Sequence, residues 1–181
     1  MSNEIIVSAK ERILNVAGPL FYRKGYRAIG VDRVIAEAGV AKATFYKHFP
    51  SKDDLIVAWI NRAEASSRAT LPAEKGAEPL TDYVFAMIKI ARKSTCMGCT
   101  YQGTAAEFSD TAHPAHGAAL GVKGRVLQDL QRLAALQKQP DPQATAERVF
   151  LLLEGIWASV RMFGQAAPLA QAEAAFARLL D

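Results

Sequence analysis

The chain has 181 residues, 50% of them hydrophobic, so it can bury about 70% of the surface that its unfolded form would expose. Two cysteines are too few for a disulfide framework. The first residues lack a signal-peptide pattern, and no stretch approaches the roughly 18 uncharged apolar residues of a membrane-spanning helix. We therefore expect a cytoplasmic protein that has no membrane partner.

The net charge of +4 is unevenly distributed along the chain. Residues 1–62 contain ten Lys and Arg against six Asp and Glu, whereas residues 63–181 contain twelve of each kind. The whole excess of positive charge therefore lies in the first third of the sequence. This asymmetry favours a polyanionic partner for that segment, although a solvated basic surface would give the same pattern.

The first predicted helix begins at a capping box. Ser8 and Glu11 have the spacing at which a hydroxyl and a carboxylate satisfy backbone donors at a helix start. An apolar stripe at helical spacing follows, formed by Ile13, Leu14, Ala17, Leu20 and Phe21. Gly25 closes this helix, because glycine readily adopts the backbone conformation that ends one.

Two shorter helices follow across a tight turn. The first spans 31–38, and Gly39 then supplies a left-handed stop in which a Cβ would be strained. In the second helix Phe45 and Phe49 lie four residues apart on one buried face, and Pro50 ends it. Its other face carries small, hydroxyl, aromatic and cationic groups. This arrangement predicts a helix-turn-helix DNA reader.

The segment GVAKATFYKHFPSKDDL, residues 39–55, resembles the signature at the end of the DNA-binding domain of TetR-type transcriptional regulators. The matching positions are Gly39-Val40-Ala41, Ala43-Thr44, Tyr46, His48-Phe49 and Lys52. Two positions depart from the commonest pattern, since Ala41 replaces Ser and Ala43 replaces Gly. Ala41 removes a capping hydroxyl, which typically costs about 1 kcal/mol of helix stability.

The resemblance implies the residues that would contact double-stranded operator DNA. They are Arg33, Lys42, Ala43, Thr44, Tyr46, Lys47, His48 and Lys52. Hydroxyl and cationic groups at Thr44, Tyr46, His48 and Lys52 suit phosphate oxygens, and Arg33 is a further candidate for the DNA backbone. Lys42 and Lys47 are better placed for bases, and the Ala43 methyl can rest on thymine. The alternative is a generic helical pair with a solvated basic face.

The rest of the chain also follows a helical pattern. A fourth helix starts at Ser51, and the polar segment LPAEKGAEP, Leu71 to Pro79, is the clearest linker. Further helices are predicted over residues 80–91, 101–108, 116–137, 142–164 and 169–180. We therefore predict an all-α fold: an N-terminal three-helix DNA-binding domain, residues 1–54, and a C-terminal helical domain for ligand binding and dimerisation, residues 55–181.

The last two predicted helices are too apolar for an exposed location, so we expect them to form the seam of a homodimer. The candidate interface residues are Leu152, Ile156, Val160, Phe163, Phe176 and Leu179. The alternative is that these residues only complete the core. A two-fold dimer would place two reading helices in successive major grooves of a palindromic operator.

Members of the family typically hold a small-molecule inducer among the helices of the second domain, so the resemblance implies a ligand site there. The candidate lining residues are Phe85, Met87, Ile88, Tyr101, Glu107, Phe108, Phe150, Glu154, Trp157 and Met162. Their apolar majority hints at a hydrophobic or aromatic inducer. The alternative is that aromatic and Met side chains at helical spacing are simply core.

Cys96 and Cys99 form a CxxC motif, and His113 and His116 follow it. Such a set can bind zinc, a cysteine pair can be redox-active, and either cysteine beside a histidine could serve an enzyme. The close histidine spacing and the lack of a βαβ context favour none of these roles, so we expect no metal, no cofactor and no enzyme. The resemblance to TetR-type regulators implies a ligand-responsive repressor, with a ligand-free architectural DNA-binding protein as the alternative.

Overall fold

The structure is a computed structural model that describes residues 7–69 and 78–180. Its helices are α1 (Ala9–Lys24), α2 (Val31–Ala38), α3 (Lys42–His48), α4 (Lys52–Ala69), α5 (Pro79–Ala91), α6 (Thr100–Glu107), α7 (Pro114–Leu136), α8 (Pro142–Phe163) and α9 (Ala172–Leu180). Two 3-10 turns, Gly164–Ala166 and Leu169–Gln171, precede α9. No strand occurs in either described range, and the all-α prediction is confirmed.

Among the helices of residues 7–69 and 78–180, none is both long enough and apolar enough to cross a membrane.

Several predicted helix ends are confirmed. The Ser8 hydroxyl accepts the N–H of Glu11 at 3.2 Å, and the Asp141 carboxylate caps α8 in the same way. Helix α7 begins at Pro114, two residues before the predicted start. The reason is that His113 caps it, with its Nδ1 accepting the N–H of Ala115 at 3.2 Å. The predicted linker lies mostly outside the described residues, and its last residue, Pro79, is the first residue of α5.

The backbone contacts divide the chain into two compact units. The first unit comprises Met1–Glu64 and Gln102–Ala119, and the second comprises Ala65–Tyr101 and Leu120–Asp181. The first unit therefore contains, besides the helix-turn-helix segment, most of α6 and the beginning of α7. The predicted domain boundary after residue 54 stays a prediction.

In the first unit, α1 packs against α2, α3 and α4 over a fully buried apolar core. The largest side chains of this core are Ile13, Phe21, Ile29, Phe45, Phe49, Leu55, Ile56 and Ile60. At Gly18 the helix passes directly over the ring of Trp59. A Cβ at Gly18 would lie 2.4 Å from the nearest ring carbon, so only glycine allows this close approach.

Helix α6 is attached to the loop between α1 and α2 by hydrogen bonds. The Glu107 carboxylate accepts the backbone N–H of Tyr26 at 2.9 Å and also that of Arg27. The Tyr26 hydroxyl and the Thr104 hydroxyl form a buried hydrogen bond of 2.6 Å. Because Thr104 and Glu107 lie one turn apart on α6, the helix contacts this loop along one face. The loop sets the direction in which the chain enters α2.

In the second unit, α5, α7, α8 and α9 enclose a separate apolar core. Its fully buried members include Leu80, Val84, Ile88, Leu130, Val149, Leu153, Val160 and Phe176. The Gln137 side chain accepts the N–H of Leu80 and of Thr81 at 3.0 and 3.1 Å, which satisfies two donors at the start of α5.

Gly18→Ala should lower the free energy of unfolding by about 1–3 kcal/mol, because the new methyl group overpacks the contact with Trp59. Urea denaturation followed by circular dichroism measures this change. Gly117→Ala in α7 is the matched control, since its Cβ meets no heavy atom of the described residues within 4 Å. The free energy of unfolding of the control should rise by about 0.5–1 kcal/mol, because alanine has a higher helix propensity than glycine. Equal stability of the two variants would contradict the packing assignment.

The hydrogen bond between Tyr26 and Thr104 can be measured with a double-mutant cycle. Tyr26→Phe and Thr104→Val should each cost about 1–2 kcal/mol of stability, because each removes one partner of a buried pair. The double variant should cost less than the sum by about 1 kcal/mol, since both polar groups are then replaced by apolar ones. If the loss of stability in the double variant equals the sum of the two single losses, the two hydroxyls do not interact.

Candidate functional site

Two buried aromatic side chains, Phe45 within α3 and Phe49 at its C-terminal end, anchor the inner face of this helix in the core of the first unit. Phe45 and Phe49 are fully buried, with ring centroids 6.0 Å apart. The Tyr46 ring meets Phe45 edge-to-face at 5.2 Å while remaining 40% exposed. The opposite side of this seven-residue helix therefore has a fixed orientation although the helix itself is short.

The turn before α3 has the predicted geometry. Gly39 adopts φ +59° and ψ +43°, the left-handed conformation, and its N–H reaches the carbonyls of Ile35 and Ala36. Helix α3 begins after Ala41 without a side-chain cap, as expected from the missing hydroxyl. The turn and the two buried rings together determine how α3 projects from the unit.

The predicted DNA-contacting side chains lie on the outer side of α3 and next to it. Lys42, Ala43, Tyr46, Lys47 and His48 are exposed, and Thr44 and Lys52 are half-buried. Arg33 on α2 is also exposed. All of these residues except Arg33 thus lie on α3 or at the first position of α4, and none of them is buried. The roles of the individual residues stay predictions.

Two of these cations have carboxylate partners. The Arg33 guanidinium contacts the Glu37 carboxylate at 2.7 Å, and the Lys42 ammonium contacts the Asp32 carboxylate at 3.3 Å. All four side chains are largely exposed, so both pairs are screened by solvent. A phosphate oxygen can therefore replace the carboxylate at little cost, and the pairs keep the cations near the surface that would meet DNA.

Three of the predicted ligand residues are brought together in the second unit. Glu154 forms an ion pair with Lys123, whose ammonium lies 6.0 Å from the Tyr101 ring centroid and 5.7 Å from that of Phe150. The side chains of Lys123 and Glu154 are 16% and 24% exposed. We call these four residues the Lys123 cluster.

The remaining ligand candidates do not join the Lys123 cluster. Ile88 is in the core of the second unit, Met87 packs against that core, and Phe85 contacts Phe176 edge-to-face at 6.1 Å. Met162 is exposed, and Trp157 lies on α8 with its carbonyl oxygen close to Gly98. Their role as ligand contacts stays a prediction.

Glu107 and Phe108 belong to the first unit rather than to the helical unit for which they were predicted. Both oxygens of the Glu107 carboxylate accept backbone N–H groups of the loop after α1. Phe108 is buried between Tyr26, at 5.5 Å, and the stacked ring of His113, at 4.3 Å. The structure therefore gives both residues a packing role within the helix-turn-helix unit.

The dimer candidates divide into buried and exposed residues. Ile156, Val160 and Phe176 face the core of the second unit, whereas Leu152 and Leu179 are half-buried. Phe163 is 56% exposed. Among the exposed positions of α8, the apolar or small residues Leu151, Gly155, Ala158 and Met162 follow one another at helical spacing. These four residues, with Phe163, form what we call the α8 stripe.

The described cysteines and histidines do not assemble into a metal site. No group of three or more His, Cys, Asp or Glu side chains in residues 7–69 and 78–180 could hold a metal ion. The Nε2 of His113 lies 3.4 Å from the Asp53 carboxylate, and His116 bonds through Nδ1 to the carbonyl of Phe108. Cys99 is buried, and its carbonyl accepts a hydrogen bond from Arg161.

Sequence reasoning missed Lys123, Thr104 and Leu151. Lys123 is 31 residues from its partner Glu154, so no local pattern connects them. Thr104 lies on a short helix whose pattern does not indicate that its hydroxyl meets Tyr26. The signal for Leu151 is its position on α8, on the side of the helix opposite the buried residues.

A family model and solved structures both relate this chain to TetR-type regulators. The family model described as bacterial regulatory proteins, tetR family, matches residues 13–59. SCO4454, a TetR-family transcriptional regulator from Streptomyces coelicolor, is 30% identical, with a TM-score of 0.87 over 95% of this chain and 94% of that one. The protein sav143 from Streptomyces avermitilis is 29% identical, with a TM-score of 0.85 over 97% of each chain.

Curated relatives match over shorter segments. LmrA, a transcriptional regulator of Bacillus subtilis, is 33% identical over 76 residues, which are 36% of this chain and 40% of LmrA. The match to YerO from the same organism spans only 17% of the length of that regulator. The shared segments are short, whereas the structural likeness to SCO4454 extends over nearly the whole chain. The protein belongs to the TetR family, whose members are DNA-binding transcriptional regulators and not enzymes.

Proposed function

We propose that this protein is a cytoplasmic, ligand-responsive repressor that binds a palindromic operator as a homodimer and leaves it when a small-molecule inducer binds. The observation that carries this proposal is the exposed cationic face of α3, fixed by the buried rings of Phe45 and Phe49. A fixed helix of this kind enters a major groove without having to order itself first, so little conformational entropy is lost on binding.

The α3 face divides its contacts by chemistry. The hydroxyls of Thr44 and Tyr46 suit phosphate oxygens, as do the side chains of Arg33, His48 and Lys52, and such contacts fix the register on the duplex. Lys42, Ala43 and Lys47 meet base edges. A half-site read by one short helix gives little affinity. Two copies with reading helices about 34–36 Å apart would occupy successive major grooves and double the contacts.

The α8 stripe supports the homodimer. Leu151 and Met162 are 70% and 76% exposed, and Gly155 and Ala158 between them are small enough to let a second helix approach closely. The stripe runs from Leu151 to Phe163, thirteen residues with an axial rise of about 18 Å. An apolar surface of this kind is costly to leave in water, and the partner we assign to it is the same stripe of a second copy.

We place the inducer in the second unit, at the Lys123 cluster. A ligand that prefers one spacing of the two reading helices lowers operator affinity by the ratio of its affinities for the two states. Repression then follows if the operator overlaps a promoter, because the bound dimer excludes the polymerase.

The double change Thr44→Ala with Lys47→Ala should weaken operator binding by about 100-fold or more, because it removes one phosphate and one base contact per protomer. The operator is first selected from genomic DNA fragments by the purified protein, and binding is then measured by fluorescence anisotropy. Lys89→Ala, an exposed lysine on α5, is the matched control and should bind like the wild type. Retained binding by a folded double variant would contradict the α3 assignment.

Salt dependence gives a second readout of operator binding. About eight phosphate contacts per dimer predict a slope near −7 for log K against log salt. A wild-type affinity that is flat between about 50 and 200 mM salt would contradict an electrostatic interface.

Leu151→Glu with Met162→Glu should convert the dimer to a monomer at micromolar concentration, because charges then lie in a desolvated helix–helix contact. Analytical ultracentrifugation measures the change. Leu136→Glu is the matched control, since Leu136 is an exposed leucine near the end of α7, outside the α8 stripe. A wild type that sediments only as a monomer would refute the dimer, and a dimeric double variant would place the interface elsewhere.

A further inference from the structure

The Lys123 ammonium lies among three groups that attract positive charge. The Glu154 carboxylate forms the ion pair, and the rings of Tyr101 and Phe150 lie 6.0 and 5.7 Å from Nζ. The face of an aromatic ring carries negative potential, so both rings favour a cation over an anion at this position. Glu154 and Phe150 are one turn apart on α8, which fixes their relative placement.

The four groups differ in how easily they can move. Phe150 packs against the core of the second unit, and its ring cannot leave without exposing apolar surface. Lys123 is held by a flexible four-carbon stem on α7, and neither its side chain nor that of Glu154 is fully buried. The ammonium can therefore withdraw towards water while its stem stays on apolar surface.

We propose that the Lys123 cluster binds an organic cation with a compact ammonium head, which takes the place of the Lys123 ammonium against Glu154, Tyr101 and Phe150. This inference rests on the ligand response proposed above and names the chemical class of the inducer. The unliganded protein keeps the site neutral, because Lys123 occupies it until the ligand arrives. The expected hydrophobic or aromatic character then applies to the body of the ligand, and the charge fixes its orientation.

An anionic ligand is disfavoured at the same position. It would have to take Lys123 away from Glu154, and the attraction between these two partly buried charges would be lost. The anion would also face the negative sides of two aromatic rings. A neutral ligand leaves the ion pair intact and gains nothing from it.

The test uses benzyltrimethylammonium as the probe, with neopentylbenzene as its uncharged isostere and phenylacetate as the anion. Isothermal titration calorimetry on the full chain should show the cation binding at least tenfold more tightly than either comparison compound. Lys123→Ala should tighten binding of the cation about tenfold, because the competing ammonium is removed. Glu154→Gln should weaken it about tenfold or more.

The control is Lys89→Ala, which removes an exposed lysine from the same unit and should bind the probe like the wild type. If Lys123→Ala fails to fold by circular dichroism, Lys123→Met keeps the apolar stem and gives the same readout. Loss of cation binding in the folded Lys123 variant, or tighter binding of phenylacetate than of the cation, would overturn the inference.

Operator binding by the wild type without the probe separates the two proposals. If the protein retains operator DNA but does not bind the cation, this inference fails and the proposed regulator stands. If it binds the cation as predicted but retains no DNA, the ligand site is supported and the proposed function fails.

Discussion

The burial of Phe45 and Phe49 beneath α3 is the constraint on which the recognition surface depends. A seven-residue helix is too short to be stable in water on its own. Helix α3 also has no capping side chain at its start. Packing of one face of α3 against the rest of the first unit supplies the stability that its intrinsic helix propensity cannot. The same packing determines which side chains point outwards, so core stability and the exposed cationic face of α3 arise from one set of contacts.

The loop before α2 is fixed by a residue distant in sequence. The Glu107 carboxylate satisfies two successive backbone donors of this loop, and the buried bond between Tyr26 and Thr104 adds a second point of attachment. A carboxylate that accepts two backbone N–H groups forms charge-assisted hydrogen bonds, which are stronger than neutral ones. Helix α6 is thus part of the framework that holds the helix-turn-helix in place.

The second unit contains a conventional apolar core and the Lys123 cluster. Most ligand candidates chosen for their aromatic or thioether character lie in or against the core, where they fill space. The Lys123 cluster differs because it holds a charged pair that burial would penalise unless each charge had a partner. Lys123 and Glu154 are only partly buried, so this pair incurs a smaller desolvation penalty than a fully buried one.

By itself the sequence determined the all-α class, the helix-turn-helix, the buried stripe of Phe45 and Phe49 and the caps at Ser8 and Asp141. All of these depend on residues within about eight positions of one another, the range over which helical periodicity and capping act. Only the tertiary structure decided that Glu107 holds the loop after α1, that Ile156 and Val160 face inwards while Leu151 and Met162 face outwards, and that Lys123 meets Glu154. These facts depend on which helices become neighbours, and the periodicity of a single helix that is apolar on most sides does not specify its partner.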